Sequence, residues 1–140
     1  VRVWGNGWNE WVDRSPNLLV ENTPIYNTDY VKAIVASSIN LCFLRRSNRD
    51  LQTCRSIEIP SCSGFMLHQR NSEITALYRE NREATYFSSD EELFEMCSYW
   101  IKRDQKRLLI GEAGRKRTIE LGLTHEINII RIINTAFSNY

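Results

Sequence analysis

The chain has 140 residues, 42% of them hydrophobic, which is enough apolar content for one compact core and short for two. Lys and Arg number 18 against 17 Asp and Glu, so the formal charge of +1 gives no electrostatic reason to expect a nucleic acid partner. Because no apolar run approaches the roughly 18 residues that span a bilayer and no basic leader opens the chain, the sequence predicts a single cytoplasmic domain over residues 1–140 without a membrane span.

The four cysteines do not suggest a metal site. Cys42, Cys54, Cys62 and Cys97 contain no C-x-x-C pair, and the two histidines are distant from them in sequence. Cys42 and Cys97 lie inside apolar patterns, where a thiol behaves as a small hydrophobe. We therefore expect four reduced cysteines and no bound metal.

Strand-like and helix-like patterns alternate along the first two thirds of the chain. In order they predict a strand at residues 1–4, a loop at 9–23, a helix at 28–37, a strand at 39–44, a short helical segment carrying Glu58, a strand at 65–67, a helix at 73–79 and a strand at 85–87. Strands that alternate with helices favour βαβ units. The pattern therefore predicts an α/β fold, a Rossmann-like parallel sheet with helices on both faces.

Three helices are predicted in the last third. Ser89, with Glu92 three positions later, forms a capping-box pattern that begins the first. The second covers residues 105–121 and ends at Gly122. Its expected inward side is Leu108, Leu109, Ala113 and Ile119, and its expected solvated basic side is Arg115, Lys116 and Arg117. Thr124 caps the third, whose apolar stripe is Ile129, Ile130, Ile133, Ala136 and Phe137.

Residues 39–70 contain the most informative chemistry of the chain. An apolar strand leads into a loop rich in arginine, namely Arg45, Arg46, Arg49 and Arg55. Guanidinium groups match phosphate oxygens in pairs, and open α/β sheets hold phosphorylated ligands beyond their strand ends. If the following helix begins near Thr53, its hydroxyl can cap the first turn, whose free N–H groups favour an anion. The alternative interpretation is a solvated basic loop.

Glu58 is the acidic candidate beside this anion site. A carboxylate repels phosphate, but it can accept hydrogen bonds from vicinal hydroxyls, as acidic residues do with ribose in dinucleotide-binding folds. A surface salt bridge between Glu58 and Arg55 explains the sequence equally well. Pro60 two positions later requires a helix that is short, kinked or late to begin.

The segment from Arg55 to Leu67, RSIEIPSCSGFML, followed by Arg70, resembles the signature of the spore maturation protein CgeB family of glycosyltransferase-like proteins. Residues 83–87 with 91–93, and 113–115 with 122–124, are also similar to that family, in the same order. This family is related to the group 1 glycosyltransferases of the GT-B fold, which have two Rossmann-like domains. The resemblance implies that the chain is the C-terminal, donor-binding half of such an enzyme.

The same resemblance implies a function and partners. The domain would bind a nucleotide-diphosphate sugar as substrate, without a further cofactor, for transfer of the sugar to the hydroxyl of an unidentified acceptor. An acceptor-binding domain would precede Val1, and we accordingly expect the fragment alone to be inactive.

Carried over residue by residue, the resemblance assigns Glu58 to the ribose hydroxyls, Asp50 to the donor sugar and Arg55 to the diphosphate. The predicted donor site is completed by Arg45, Thr53, Gly64 and His68. His68 follows a strand on the presumed ligand side, where it can contact the donor or act as a base.

Three departures from the family pattern motivate a second hypothesis. Gln69 stands where glutamate is usual, Ser63 where glycine is frequent, and Asn128 where arginine is common. These substitutions favour a non-catalytic α/β interaction module that has lost donor binding. Specific nucleotide-sugar binding discriminates between the two hypotheses.

Overall fold

The computed structural model describes residues 1–138, apart from the side chain of Arg46. The chain forms two compact units, of which the first is Val1–Ala33. In that unit β1 (Arg2–Val3) pairs in parallel with β2 (Leu19–Val20), and Asn9–Trp11 forms one turn of 3-10 helix between them. The predicted first strand is confirmed, whereas β2 lies within the segment predicted to be loop.

The second unit contains a three-stranded parallel sheet. Its strands, in spatial order, are β3 (Asn40–Cys42), β4 (Met66–Gln69) and β5 (Thr85–Phe87). The helices of the chain are α1 (Asn27–Ala36), α2 (Arg55–Ser61), α3 (Ser72–Leu77), α4 (Asp90–Trp100), α5 (Asp104–Glu120) and α6 (His125–Phe137). The predicted α/β fold with a parallel sheet is confirmed.

Helices cover both faces of this sheet. On one face, Leu67 and Phe87 pack with Trp100 of α4 and Ile110 of α5 in one buried apolar cluster. On the other face, β4 contacts α2. The Tyr86 hydroxyl of β5 donates a hydrogen bond at 2.6 Å to the carbonyl of Tyr78, the residue that follows α3. The core of the second unit is therefore formed by apolar residues above the sheet and by a mixture of apolar and hydrogen-bonded polar residues below it.

Both helix caps predicted near the end of the chain are confirmed. Ser89 Oγ accepts a hydrogen bond from the Glu92 amide at 3.2 Å, and the Glu92 carboxylate accepts one from the Ser88 amide at 2.6 Å. Thr124 Oγ1 accepts a hydrogen bond from the Ile127 amide at 3.4 Å at the start of α6. The apolar stripe of α6 is solvent-exposed in the structure, since no described residue of this helix is buried.

The predicted inward side of α5 is wrong at three of its four positions, since only Ala113 is partly buried. Leu108, Leu109 and Ile119 are exposed, and the buried positions are Arg107, Ile110, Gly111, Gly114 and Thr118. The reason is the backbone approach that the two glycines permit. A Cβ on Gly111 would lie 2.2 Å from the Ser63 carbonyl oxygen, and one on Gly114 would lie 2.6 Å from that of Glu83. Of the expected basic side, Arg115 and Lys116 are exposed, while Arg117 Nε donates a hydrogen bond to the Leu77 carbonyl at 3.0 Å.

These close contacts locate α5 relative to the sheet. Ser63 and Glu83 come shortly before β4 and β5, so α5 passes along the edge at which those strands begin. The loops that follow the strands lie at the opposite, carboxyl edge. Ligands of parallel α/β sheets bind at that edge.

Candidate functional site

Three loops follow the strands at the carboxyl edge of the sheet. Phe43 and Leu44 follow β3, and Ser88 follows β5; together with Gln69 and the first turn of α4 they line a cleft of about 470 Å³. The half-exposed Phe43 ring stands edge-on to Phe87, with 5.5 Å between the ring centroids. The cleft thus combines an aromatic surface with the polar start of a helix.

The start of α2 differs from the prediction. Cys54 occupies the cap position without a side-chain hydrogen bond, and the predicted capping role of Thr53 is wrong. The Thr53 hydroxyl instead lies 3.6 Å from Cys42 Sγ, while its amide donates a hydrogen bond to Ser56 Oγ at 3.0 Å. Ser56 therefore holds the residues that precede the helix, and the helix has only seven residues because it ends one position after Pro60.

Arg55 and Glu58 occupy the first turn of α2, three positions apart, so they lie on neighbouring parts of one helix surface. Arg55 is exposed. Burial raises the pKa of Cys42 and the charge of Arg55 opposes that effect, whereas for His68 burial and the charge of Arg55 both lower the pKa. Glu58 is half-buried, and its negative charge adds to burial in raising the pKa of Cys62. This pair gives α2 one cationic donor group and one anionic acceptor group.

The loop before α2 carries two further predicted residues. Arg45 is exposed and Asp50 is half-buried, and the Asp50 amide donates a hydrogen bond to the Arg45 carbonyl at 3.4 Å. The Leu51 carbonyl accepts a hydrogen bond from the Asn71 side chain at 2.9 Å, which ties the loop to the start of α3. The structure therefore places Arg45, Asp50, Thr53 and Arg55 on a single loop-to-helix segment. Their roles toward a donor stay predictions.

His68 was predicted to follow a strand, but it lies within β4, in the core beneath α2. Its Nδ1 is 2.6 Å from the Gln69 carbonyl oxygen and its Nε2 is 2.8 Å from Ser56 Oγ, and the side chain is fully buried. Burial lowers the pKa of His68, the positive charge of Arg55 lowers it further, and the Gln69 carbonyl opposes both effects. The predicted donor contact stays a prediction, but both ring nitrogens already have partners within the protein.

The buried imidazole predicts a dependence of stability on pH. We expect the free energy of unfolding to fall as the pH drops below 6.5, the ordinary pKa of histidine, because unfolded His68 takes up a proton that the folded protein disfavours. The stability that neutral His68 contributes is fully present above pH 6.5, and it is lost as the pH falls toward the lowered pKa of His68 in the folded protein. Urea unfolding between about pH 7.5 and pH 5 measures the slope. The His68→Gln variant should show a reduced slope and His125→Gln, altered at an exposed histidine, an unchanged one; equal slopes in all three proteins would contradict the prediction.

Gly64 lies apart from the other predicted site residues. It precedes β4 and is therefore at the amino edge of the sheet, whereas the loops of the candidate site follow the strands. A Cβ at this position would lie 2.6 Å from Ile34 Cγ2 and 3.0 Å from the Ile59 carbonyl oxygen. Close packing therefore accounts for glycine here, and the structure does not bring it to the carboxyl edge.

Three polar residues that shape this edge were not identified from the sequence as doing so. Gln69 Oε1 accepts a hydrogen bond from the Leu44 amide at 3.2 Å and so joins the ends of β3 and β4. Asn71 caps α3 by accepting hydrogen bonds from the Glu73 and Ile74 amides. The third is the buried Ser56. A cap residue two positions before a glutamate is a detectable signal for Asn71, while Gln69 and Ser56 gave none.

Two other kinds of feature are not found within residues 1–138. No group of three or more His, Cys, Asp or Glu side chains within this range is arranged to hold a metal ion. Within the same range, no helix has the length and apolar character needed to cross a membrane.

The parallel sheet, the helices on both of its faces and the polar loops at its carboxyl edge define a Rossmann-like α/β domain. The family model described as glycosyl transferase-like matches residues 1–126, and the chain belongs to this family. No curated protein and no solved structure matches the chain significantly. The family assignment confirms the predicted relation to glycosyltransferases; the closer relation to CgeB proteins stays a prediction.

Proposed function

We propose that this chain is the donor-binding domain of a CgeB-like glycosyltransferase, which holds a nucleotide-diphosphate sugar at the carboxyl edge of its sheet. The observation that carries the proposal is the pair Arg55 and Glu58 on the first turn of α2, within the segment matched by the glycosyl transferase-like family. An arginine and a carboxylate one turn apart suit a ligand that has a phosphate next to a diol.

Each group has a distinct part in binding. Arg55 is exposed, and its guanidinium donates paired hydrogen bonds to the diphosphate oxygens, with Arg45 in the adjacent loop as a second cation. The Glu58 carboxylate accepts hydrogen bonds from the ribose hydroxyls. Asp50, half-buried in the same loop, is assigned to the donor sugar.

The proposed transfer exchanges one bond at the anomeric carbon for another. An acceptor hydroxyl releases its proton to solvent and forms a bond to the anomeric carbon, while the bond from that carbon to the diphosphate oxygen breaks. The nucleoside diphosphate leaves with the electron pair of the broken bond. Negative charge that develops on the leaving diphosphate is stabilised by Arg55 and Arg45, which are positioned before the reaction begins.

The test is calorimetric titration of the chain with UDP, GDP, ADP and their glucose conjugates. We expect one nucleotide to bind specifically and the Glu58→Ala variant to bind it more weakly by about 1–3 kcal/mol, the range for a polar partner left unpaired. Glu95→Ala, which removes an exposed carboxylate from α4, is the matched control and should bind like the unmodified chain.

Two results would reject the proposal. Failure of every nucleotide and conjugate to bind would favour the interaction-module hypothesis. Specific binding with equal affinity in the Glu58→Ala and Glu95→Ala variants would retain a nucleotide site but remove Glu58 from it. A thermal melt of each variant ensures that a loss of affinity is measured on folded protein.

A further inference from the structure

A buried chain of hydrogen bonds connects the centre of the sheet to the start of α2. His68 on β4 and Ser56 on α2 are both fully buried, with 2.8 Å between His68 Nε2 and Ser56 Oγ. Ser56 Oγ in turn accepts a hydrogen bond from the Thr53 amide at 3.0 Å. The chain therefore runs from the middle strand to the backbone just before Arg55.

The direction of each hydrogen bond follows from the groups present. The Gln69 carbonyl can only accept, so His68 Nδ1, 2.6 Å away, carries the proton of a neutral ring. His68 Nε2 is then an acceptor and the Ser56 hydroxyl is its donor. The hydroxyl oxygen remains free to accept from the Thr53 amide. In this arrangement the His68 ring, the Ser56 hydroxyl and the Thr53 amide each have a hydrogen-bond partner.

We propose that His68 is a positioning residue of the donor site: by accepting the Ser56 hydroxyl proton, it fixes the first turn of α2 and thereby orients Arg55 and Glu58. This inference rests on the proposed function of the two α2 residues. His68 itself touches no donor atom in this assignment, because its nitrogens are occupied by Ser56 and Gln69.

The other side-chain contact between the sheet and the start of α2 is made by Cys42 of β3, whose Sγ lies 3.6 Å from Thr53 Oγ1 and 4.0 Å from Ser56 Oγ. The helix is seven residues long and its cap residue, Cys54, makes no side-chain hydrogen bond. A helix this short gains little stability from its own hydrogen bonds and depends on tertiary contacts. Without an acceptor on β4, the Ser56 hydroxyl would be left with Cys42 Sγ, 4.0 Å away, as a weaker acceptor for its proton. The hydrogen bond that its oxygen accepts from the Thr53 amide would then lose its fixed geometry.

Two substitutions of His68 separate the acceptor role from mere filling of space. His68→Gln supplies an amide oxygen near the position of Nε2, whereas His68→Leu has a similar size and no acceptor. Thr85→Val is the matched control, because it removes another buried hydroxyl, which donates to the Met66 carbonyl at 2.9 Å within the sheet. Residue-resolved amide hydrogen exchange and calorimetric titration with UDP, GDP, ADP and their glucose conjugates are measured on all four proteins.

We expect His68→Leu to raise exchange at the amides of residues 53–58 and to weaken nucleotide affinity, each by about tenfold, the equivalent of one lost hydrogen bond. His68→Gln should restore both values to within about threefold, and Thr85→Val should leave both unchanged whatever it does to global stability. Equal effects of His68→Leu and Thr85→Val on affinity, or unchanged exchange at residues 53–58 in His68→Leu, would overturn the inference. If the unmodified chain binds none of the nucleotides, the proposed function fails, and the assignment of His68 to the donor site fails with it. The exchange data then still show separately whether His68 holds α2.

Discussion

Gly114→Ala is expected to lower the free energy of unfolding by about 2 kcal/mol or more, although alanine is the better helix former by about 1 kcal/mol. Gly114 lies in the middle of α5, where a Cβ would be 2.6 Å from the Glu83 carbonyl oxygen and 3.3 Å from Pro60 Cβ. The carbonyl belongs to the backbone that leads into β5, so it cannot rotate away as a side chain does. Gly111→Ala should be at least as costly, since its Cβ would lie 2.2 Å from the Ser63 carbonyl oxygen.

Urea unfolding followed by circular dichroism measures both variants. Glu112→Ala is the control, because Glu112 lies between the two glycines on the exposed side of α5, where a substitution changes stability by no more than about 0.5 kcal/mol. A rise in the unfolding midpoint of Gly114→Ala would mean that helix propensity outweighs the contact. In that case α5 would not approach the sheet edge as closely as the structure indicates.

The α5 glycines also show why part of the fold could not be predicted. Hydrophobic periodicity identified the helix and its length, but it selected Leu108 and Leu109 as the inward side. Packing instead selected the side with the smallest residues, because only Gly111 and Gly114 permit contact with backbone atoms. Periodicity counts apolar residues, and it contains no information about close backbone approach.

Signals that are local in sequence were more reliable. The strand Thr85–Phe87 and the caps at Ser89 and Thr124 were all predicted, since each depends on a few adjacent residues. The pairing of Ser56 with His68 is different, because it requires knowing which strand lies beneath α2. A serine inside a short helix gave no indication of that contact.

The candidate site divides in the same way. Arg55 and Glu58 were assigned to one site by the family resemblance, and the structure places them one turn apart on α2. Gly64 was assigned to the same site through the same family signature, in which it follows Glu58 by six residues. In a βαβ unit, however, the helix returns the chain to the amino edge of the sheet. A residue that follows α2 is therefore carried away from the loops that precede it, and topology rather than sequence distance decides the membership of the site.

Ile110→Ala is expected to destabilise the protein by about 2–4 kcal/mol, whereas Leu109→Ala should change the free energy of unfolding by no more than about 0.5 kcal/mol. The two residues are adjacent in α5 and similar in size. Ile110 is 6% exposed and packs in the apolar cluster with Phe65, Leu67 and Trp100, while Leu109 is 65% exposed. Truncation of Ile110 removes buried contacts and leaves a cavity, and truncation of Leu109 removes surface that is largely in water.

This pair of variants decides the rotation of α5 about its own axis. Both variants place alanine in α5, so the burial of the residue that is replaced is the main difference between them. The change in the free energy of unfolding, measured in urea, therefore reports that burial. A larger loss for Leu109→Ala would support the inward side expected from periodicity and would contradict the glycine contacts as well, because the two faces cannot both meet the sheet. If Ile110→Ala and Gly114→Ala both destabilise the protein as expected, α5 lies along the amino edge of the sheet. The carboxyl edge is then left open for the candidate site that contains Arg55 and Glu58.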